Sequence, residues 1–287
     1  MSDRKVKIAW YGKHFGEEPP LVGKKPHGAG TIFFSGCNLR CVFCQNYQIS
    51  QEKLGKEYSA SELANIMVDL QDRGAVNIDL VTPTPWRRSL KESIILARES
   101  GLTIPIVWNS NAYETLHIIR EMEGLVDIYL PDFKYADDKL AVRYSNAPKY
   151  SRLAEEAIKE MYRQVGNLRI KNGVAQKGLI IRHLILPGYL DNSFAVLERI
   201  ALIDKDIHLS LMSQYYPVYI ANQFPEINRR LTEDEIKCVE AKRMELGLEN
   251  GWTQEADSGE IFLPDFRKKN PFYYHTKNTK TQRKKYI

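Results

Sequence analysis

GTIFFSGCNLRCVFCQNYQIS (residues 30–50) joins a short apolar run to a cluster of thiols. The run from Gly30 to Ser35 has the length and composition of a strand buried on both faces. Cys37, Cys41 and Cys44 follow at once with the spacing C-x3-C-x2-C, three of the chain's four cysteines within eight residues. A strand that opens into a loop of soft ligands points to a parallel α/β sheet, because such sheets gather function at the carboxyl ends of their strands.

The rest of the chain repeats that unit. In SASELANIMVDLQDRG (59–74), Ser59 and Glu62 form a capping-box pattern, and Leu63, Ile66, Met67 and Leu70 mark one helical face. Further strands are expected at 77–83, 104–109, 126–133, 178–188 and 208–215. Helices are expected at 89–100, 114–122, 152–165, 192–202 and 232–246. Six strand–helix units imply an α/β fold. Polar residues recur where these strands end: Thr82 and Thr84, Asn109 to Asn111, Asp132 and Lys134, Ser213 and Gln214. Arg182 and His183 lie inside the fifth strand. No internal repeat or linker divides the chain, and we expect an N-terminal extension at 1–29, a barrel at 30–248 and a C-terminal extension at 249–287.

Bulk properties narrow the classes. The chain has 287 residues, 43% of them hydrophobic, enough for a sizeable core, and no apolar run nears the roughly 20 residues of a membrane span. The start lacks a signal-peptide core, so a cytoplasmic location is expected, where clustered cysteines serve metals or catalysis more often than disulfides. The net charge of +5 is local: the last 22 residues hold eight Lys or Arg and no acid. Such a tail is either a solvated end or a basic arm for RNA or an acidic partner.

Three thiols at this spacing suit a soft metal, yet structural zinc and ordinary cubane clusters take four ligands. His14, His27 and Cys238 are the available fourth ligands, and Cys238, flanked by Ile236 and Val239, reads as a buried structural thiol. Three protein ligands leave one metal position open, which is what catalysis needs.

C-x3-C-x2-C with Phe43 before the last cysteine resembles the signature of the radical S-adenosylmethionine superfamily. HFGEEPPL (14–21), LVTPT (80–84), DIYLPDFKY (127–135), IIRHLILPG (180–188) and LMSQYYP (211–217) extend the likeness to a subgroup related to pyruvate formate-lyase activating enzymes. The resemblance implies a partial (β/α)6 TIM-like barrel, with Cys37, Cys41 and Cys44 holding a [4Fe–4S] cluster whose fourth iron chelates S-adenosylmethionine. It further implies that Phe43 lies against the adenine. Relatives hold the methionine amine with a Gly-Gly-Glu-like segment; here Thr82 and Thr84 in Thr-Pro-Thr-Pro replace it, without the carboxylate. Asn109, Ser110 and Asn111 correspond to ribose contacts, Asp132, Lys134 and Arg182 to the surroundings of the cosubstrate carboxylate, and Gln214 to a polar active-site position. His183, one residue from Arg182, should point to the opposite face of the strand.

The implied reaction is reductive cleavage of S-adenosylmethionine, driven by reduced flavodoxin or ferredoxin, followed by hydrogen abstraction from a substrate. By the same resemblance that substrate is a glycyl-radical enzyme. A small molecule, a peptide or RNA are alternatives, as is a non-enzymatic, zinc-stabilised binding protein.

Overall fold

The computed structural model describes residues 5–24, 26–254 and 263–272. Six parallel strands form its centre: β2 (Ala29–Phe34), β4 (Ile78–Val81), β5 (Ile106–Ser110), β6 (Ile128–Pro131), β8 (Val174–Leu184) and β9 (His208–Met212), adjacent in that order. Apart from the outer end of β8, which carries a hairpin strand, their residues are mostly buried, which explains the unbroken apolar runs.

Further strands extend both sides. β1 (Val6–His14) pairs antiparallel with β2 and carries β3 (Lys56–Tyr58) at its far edge, while β10 (Gly251–Gln254) adds parallel to β9. β7 (Arg169–Lys171) makes an antiparallel hairpin with the start of β8. The order ends at β10 and β3, so the barrel is open.

Helices cover the outer face. α3 (Ala60–Asp72) begins with the capping box of Ser59 and Glu62, and Leu63, Ile66, Met67 and Leu70 are all buried. α4 (Arg87–Glu99), α5 (Leu116–Glu121), α7 (Tyr150–Val165), α8 (Leu190–Ile203) and α9 (Glu233–Glu245) follow their strands in turn. α6 (Asp138–Ser145) was not expected: a short helix capped by Asp137 and closed by Asn146 in a left-handed conformation. In α9 Val239 turns inward and is buried, whereas Cys238 is exposed, so the expected buried thiol is a surface residue.

The two faces of the sheet carry different cores. The outer face joins Ile32, Leu80, Trp108, Leu179 and Ile181 to the helices. Inside the barrel, Val107, Ile128, Leu130 and Ile180 form an apolar floor with Leu21. Leu21 belongs to the single turn α1 (Pro19–Val22), which enters from the amino-terminal end of the strands and is fixed there by Asn77 Nδ2 donating to its carbonyl at 2.7 Å. No helix among the described residues is long and apolar enough to cross a membrane.

Residues 263–272 return to this body. Phe266 is buried and its ring lies 5.4 Å from that of Phe33; Phe272 packs on Phe33, Trp10 and His14. The start of the basic segment is therefore anchored by its phenylalanines while Arg267, Lys268 and Lys269 stay exposed, and its residues from 273 onward, with five of the eight basic side chains, lie outside the described residues. Replacing Phe266 by Ala empties this aromatic cluster and should destabilise the protein by about 3 kcal/mol in urea unfolding.

Candidate active site

The loop after β2 begins with a reversal. Gly36 adopts φ +86° and its amide donates to the carbonyl of Ile49 at 2.8 Å, turning the chain out of the strand and into the cysteines. The amides of Arg40 and Val42 donate to the carbonyls of Ser145 and Tyr144, both at 2.9 Å, so the loop is stitched to α6.

Each sulfur has a polar neighbour. Cys37 Sγ accepts from Leu39 N and Asn111 Nδ2, both at 3.4 Å; Cys41 Sγ accepts from Ser145 Oγ at 3.0 Å; Ser50 Oγ lies 3.2 Å from Cys44 Sγ. Burial pushes all three thiols up, Cys37 to about 11 and Cys44 to about 12, so a bound cation must displace their protons. Donors aimed at sulfur suit thiolates, and the residues present fit an iron–sulfur cluster. Among the described residues no three His, Cys, Asp or Glu side chains converge on one ion-sized point, the arrangement a mononuclear zinc site requires. His14 is packed on Phe272 and His27 Nδ1 lies 3.3 Å from the carbonyl of Gly74.

Phe43, between the second and third cysteines, is buried with its ring 5.5 Å from that of Tyr215. Gln214 is half-buried just beyond β9. The Thr82–Pro85 segment follows β4, and Thr82 has φ +60°, a conformation costly for a β-branched residue. Thr84 Oγ1 donates to Glu114 at 2.8 Å and Ser110 Oγ donates to the other oxygen of the same carboxylate at 2.6 Å, with Trp108 Nε1 at 3.0 Å. Both hydroxyls are thus turned to Glu114, which holds the loops after β4 and β5 together. Burial raises the carboxyl of Glu114, and these three donors oppose that rise.

Below the cysteine loop lies an ionic layer. Arg182 Nε is 2.6 Å from Asp132 Oδ1, its Nη2 donates to Asn109 Oδ1 at 2.6 Å, and Glu17 lies 3.7 Å away. Lys134 Nζ sits 2.7 Å from the second oxygen of Asp132. Burial acts to raise Asp132, but Arg182 and Lys134 outweigh it and hold its carboxyl below the usual range. Asp132, Lys134, Arg182 and Asn109 are therefore brought together, whereas the Asn111 amide is turned to Cys37 and Asn38, and His183 points the other way, as its pleat requires. His183 Nδ1 donates to the carbonyl of Phe133 at 2.7 Å and Nε2 accepts from Ser193 Oγ at 2.9 Å.

Four acids in this region escaped the reading of the sequence. Glu17 and Asp79 face the same guanidinium, and burial raises both carboxyls, Asp79 strongly. Glu18 accepts from Ser210, Trp252 and Gln254 across the sheet's open side. Glu114 is the fourth. An acid inside the apolar strand NIDLV is as costly as an arginine inside IIRHL, and that signal alone marks Asp79.

An open parallel α/β barrel with three thiols at its carboxyl mouth defines the class. Residues 31–200 match the model of the Radical SAM superfamily. An uncharacterized protein of Methanocaldococcus jannaschii, MJ0674, is 35% identical over 249 residues, covering 81% of this chain and 66% of that protein. SuiB of Streptococcus suis, in a crystal structure bound to S-adenosylmethionine, superposes with a TM-score of 0.55 at 13% identity over 77% of this chain and 48% of SuiB. The chain thus spans just under two thirds of MJ0674 and about half of SuiB. It belongs to the radical SAM superfamily, whose cofactors are a [4Fe–4S] cluster and S-adenosylmethionine.

Two stability measurements test this geometry. Thr82→Gly removes the left-handed strain and should raise unfolding free energy by about 1 kcal/mol, part of the gain being offset by glycine's freedom in the unfolded chain. Burial lowers His183 from 6.5 to about 4. The unfolded chain therefore takes up this proton first. Stability present above pH 6.5 is lost as pH falls to about 4, by roughly 3 kcal/mol for this group. Urea titrations from pH 7 to pH 4 should show the decline, with a shallower slope in His183→Gln.

Proposed function

We propose that this chain is a radical S-adenosylmethionine enzyme in which Cys37, Cys41 and Cys44 hold the cluster. The observation that carries this is the set of N–H and O–H groups aimed at three thiols on the barrel mouth. The chemistry such a cluster supplies when bound is reductive cleavage of S-adenosylmethionine and, through the fragment released, hydrogen abstraction from a substrate.

The chain's own residues bind, orient and exclude water. Phe43 offers an aromatic edge to the adenine. With Thr84 turned to Glu114, the backbone carbonyls of the Thr82–Pro85 turn are the acceptors left for the methionine ammonium, in place of the glycine pair and acid of relatives. Asn111 couples the ribose region to Cys37. Lys134 gives one N–H to Asp132 and has two more to offer a carboxylate, while Arg182, engaged by Asp132 and Asn109, positions those two side chains. Thr84 and Ser110 act through Glu114, keeping both loops in register. Reduced flavodoxin or ferredoxin is the expected electron source. Activation of a glycyl-radical enzyme is the finer proposal, and the sequence motifs shared with activating enzymes support it.

Anaerobic reconstitution should load four irons per chain and give dithionite-dependent formation of 5′-deoxyadenosine from S-adenosylmethionine. Cys41→Ala should abolish that product. One tightly held zinc with no cleavage would replace this proposal by a zinc-stabilised binding protein.

A further inference from the structure

Two polar atoms inside the barrel have no hydrogen-bond partner although both are completely buried: Thr31 Oγ1 and Asp79 Oδ1. They are neighbours. Thr31 on β2 stands in register with Asp79 on β4, and residues in register on parallel strands face the same side. That side is the barrel interior, because Asp79 Oδ2 lies 3.5 Å from Asn109 Nδ2 and Asn109 in turn holds Arg182. Their chain neighbours Ile32 and Leu80 face the helices instead. Buried polar atoms are nearly always satisfied, so two adjacent orphans mark a place where a ligand or water belongs.

The charge around them selects between these. Glu17, Glu18, Asp79 and Asp132 share the layer with Arg182 and Lys134, and burial raises the first three carboxyls, Glu17 and Asp79 being hydrogen-bonded to each other, so without a ligand these acids hold protons. An anion there meets Asp132 and the other carboxyls, and a water satisfies the two orphans but supplies no positive charge in place of the protons those carboxyls hold. A protonated amine does both. It carries three N–H donors and one positive charge, and three acceptors surround the spot: Thr31 Oγ1, Asp79 Oδ1 and the Glu17 carboxylate.

The position suits a substrate group. Asn111, which touches Cys37, is two residues beyond Asn109 on β5, and Asp79 pairs with Val107, two residues before it. At about 3.3 Å per residue, the orphaned pair lies roughly 13 Å beneath the level of Asn111. We propose that Thr31, Asp79 and Glu17 form a site on the inner barrel wall for a protonated primary amine of the substrate. The assignment rests on the radical SAM chemistry proposed above and adds the chemical class of the molecule on which it acts.

The test uses reconstituted protein with S-adenosylmethionine and two probes of equal shape, n-butylammonium and n-butanol, followed by their effect on the melting temperature. Butylammonium should raise it saturably and butanol should not. Asp79→Asn should weaken the ammonium response at least ten-fold. Because Asp79→Asn disturbs a charge network, Thr31→Val is the second variant: it deletes an unpaired hydroxyl without stranding a partner, so the fold is retained. It too should weaken the response several-fold. An equal response to butanol, a Thr31→Val protein that binds butylammonium like the parent, or crystals with the probe showing only a water between Thr31 and Asp79 would each overturn the site. Dithionite-dependent cleavage of S-adenosylmethionine is measured alongside without amine. Loss of cleavage with intact ammonium binding refutes the chemistry, while cleavage without ammonium binding refutes the site.

Discussion

A guanidinium buried in the wall of the barrel is the constraint on which the rest of the interior depends. Arg182 sits between Ile181 and His183 in a strand otherwise made for an apolar core, and desolvating it unpaired is prohibitive. Its partners come from three other elements: Asp132 beyond β6, Asn109 on β5 and Glu17 ahead of α1. Meeting that demand fixes how far Glu17–Val22 can enter from below, and hence where the floor lies. It also orients Asp132 so that its second oxygen takes Lys134 at the mouth. One largely buried charge thus ties the amino-terminal plug to the rim that carries the cysteines.

The same economy appears one layer out. Glu114 collects two hydroxyls and an indole N–H from the loops after β4 and β5, and it stands where the Thr-Pro-Thr-Pro segment lacks an acid of its own. A carboxylate behind the loops sets backbone geometry, whereas one on the loop itself touches the ligand. Thr82 adopts the left-handed backbone that ordinarily calls for glycine.

The six parallel strands and the cysteine loop were legible in the sequence because continuous apolar runs and C-x3-C-x2-C are local patterns. α3 was legible down to its cap. β1, β3 and β10 escaped because they extend a sheet already complete in its repeating units, and no periodicity there announces a partner. α6 is short and polar, held by an Asp cap and a left-handed Asn rather than by an apolar face. Cys238 was misplaced because Ile236 and Val239 on either side say little about which way position 238 turns on a helix. The interior acids were visible as residues but not as a group: Glu17 and Asp79 lie 62 positions apart, and the pairing of β1 with β2, itself beside β4, brings them together. Likewise Thr84 and Ser110 were placed at the mouth correctly, while the direction of their hydroxyls depended on Glu114.

Gln48, four residues past the last clustered cysteine, is buried with both ends of its amide engaged: its oxygen accepts from Phe266 N at 2.7 Å and its nitrogen lies 3.3 Å from Asp265. The ribosome makes Asp265 and Phe266 some 217 residues after Gln48. At about 5–20 residues per second, the thiol loop exists for about 10–40 s before its brace is synthesised. Metal insertion into the finished geometry is therefore a late event in the birth of the molecule, and a nascent chain stalled before that point presents its three cysteines on an unclamped loop.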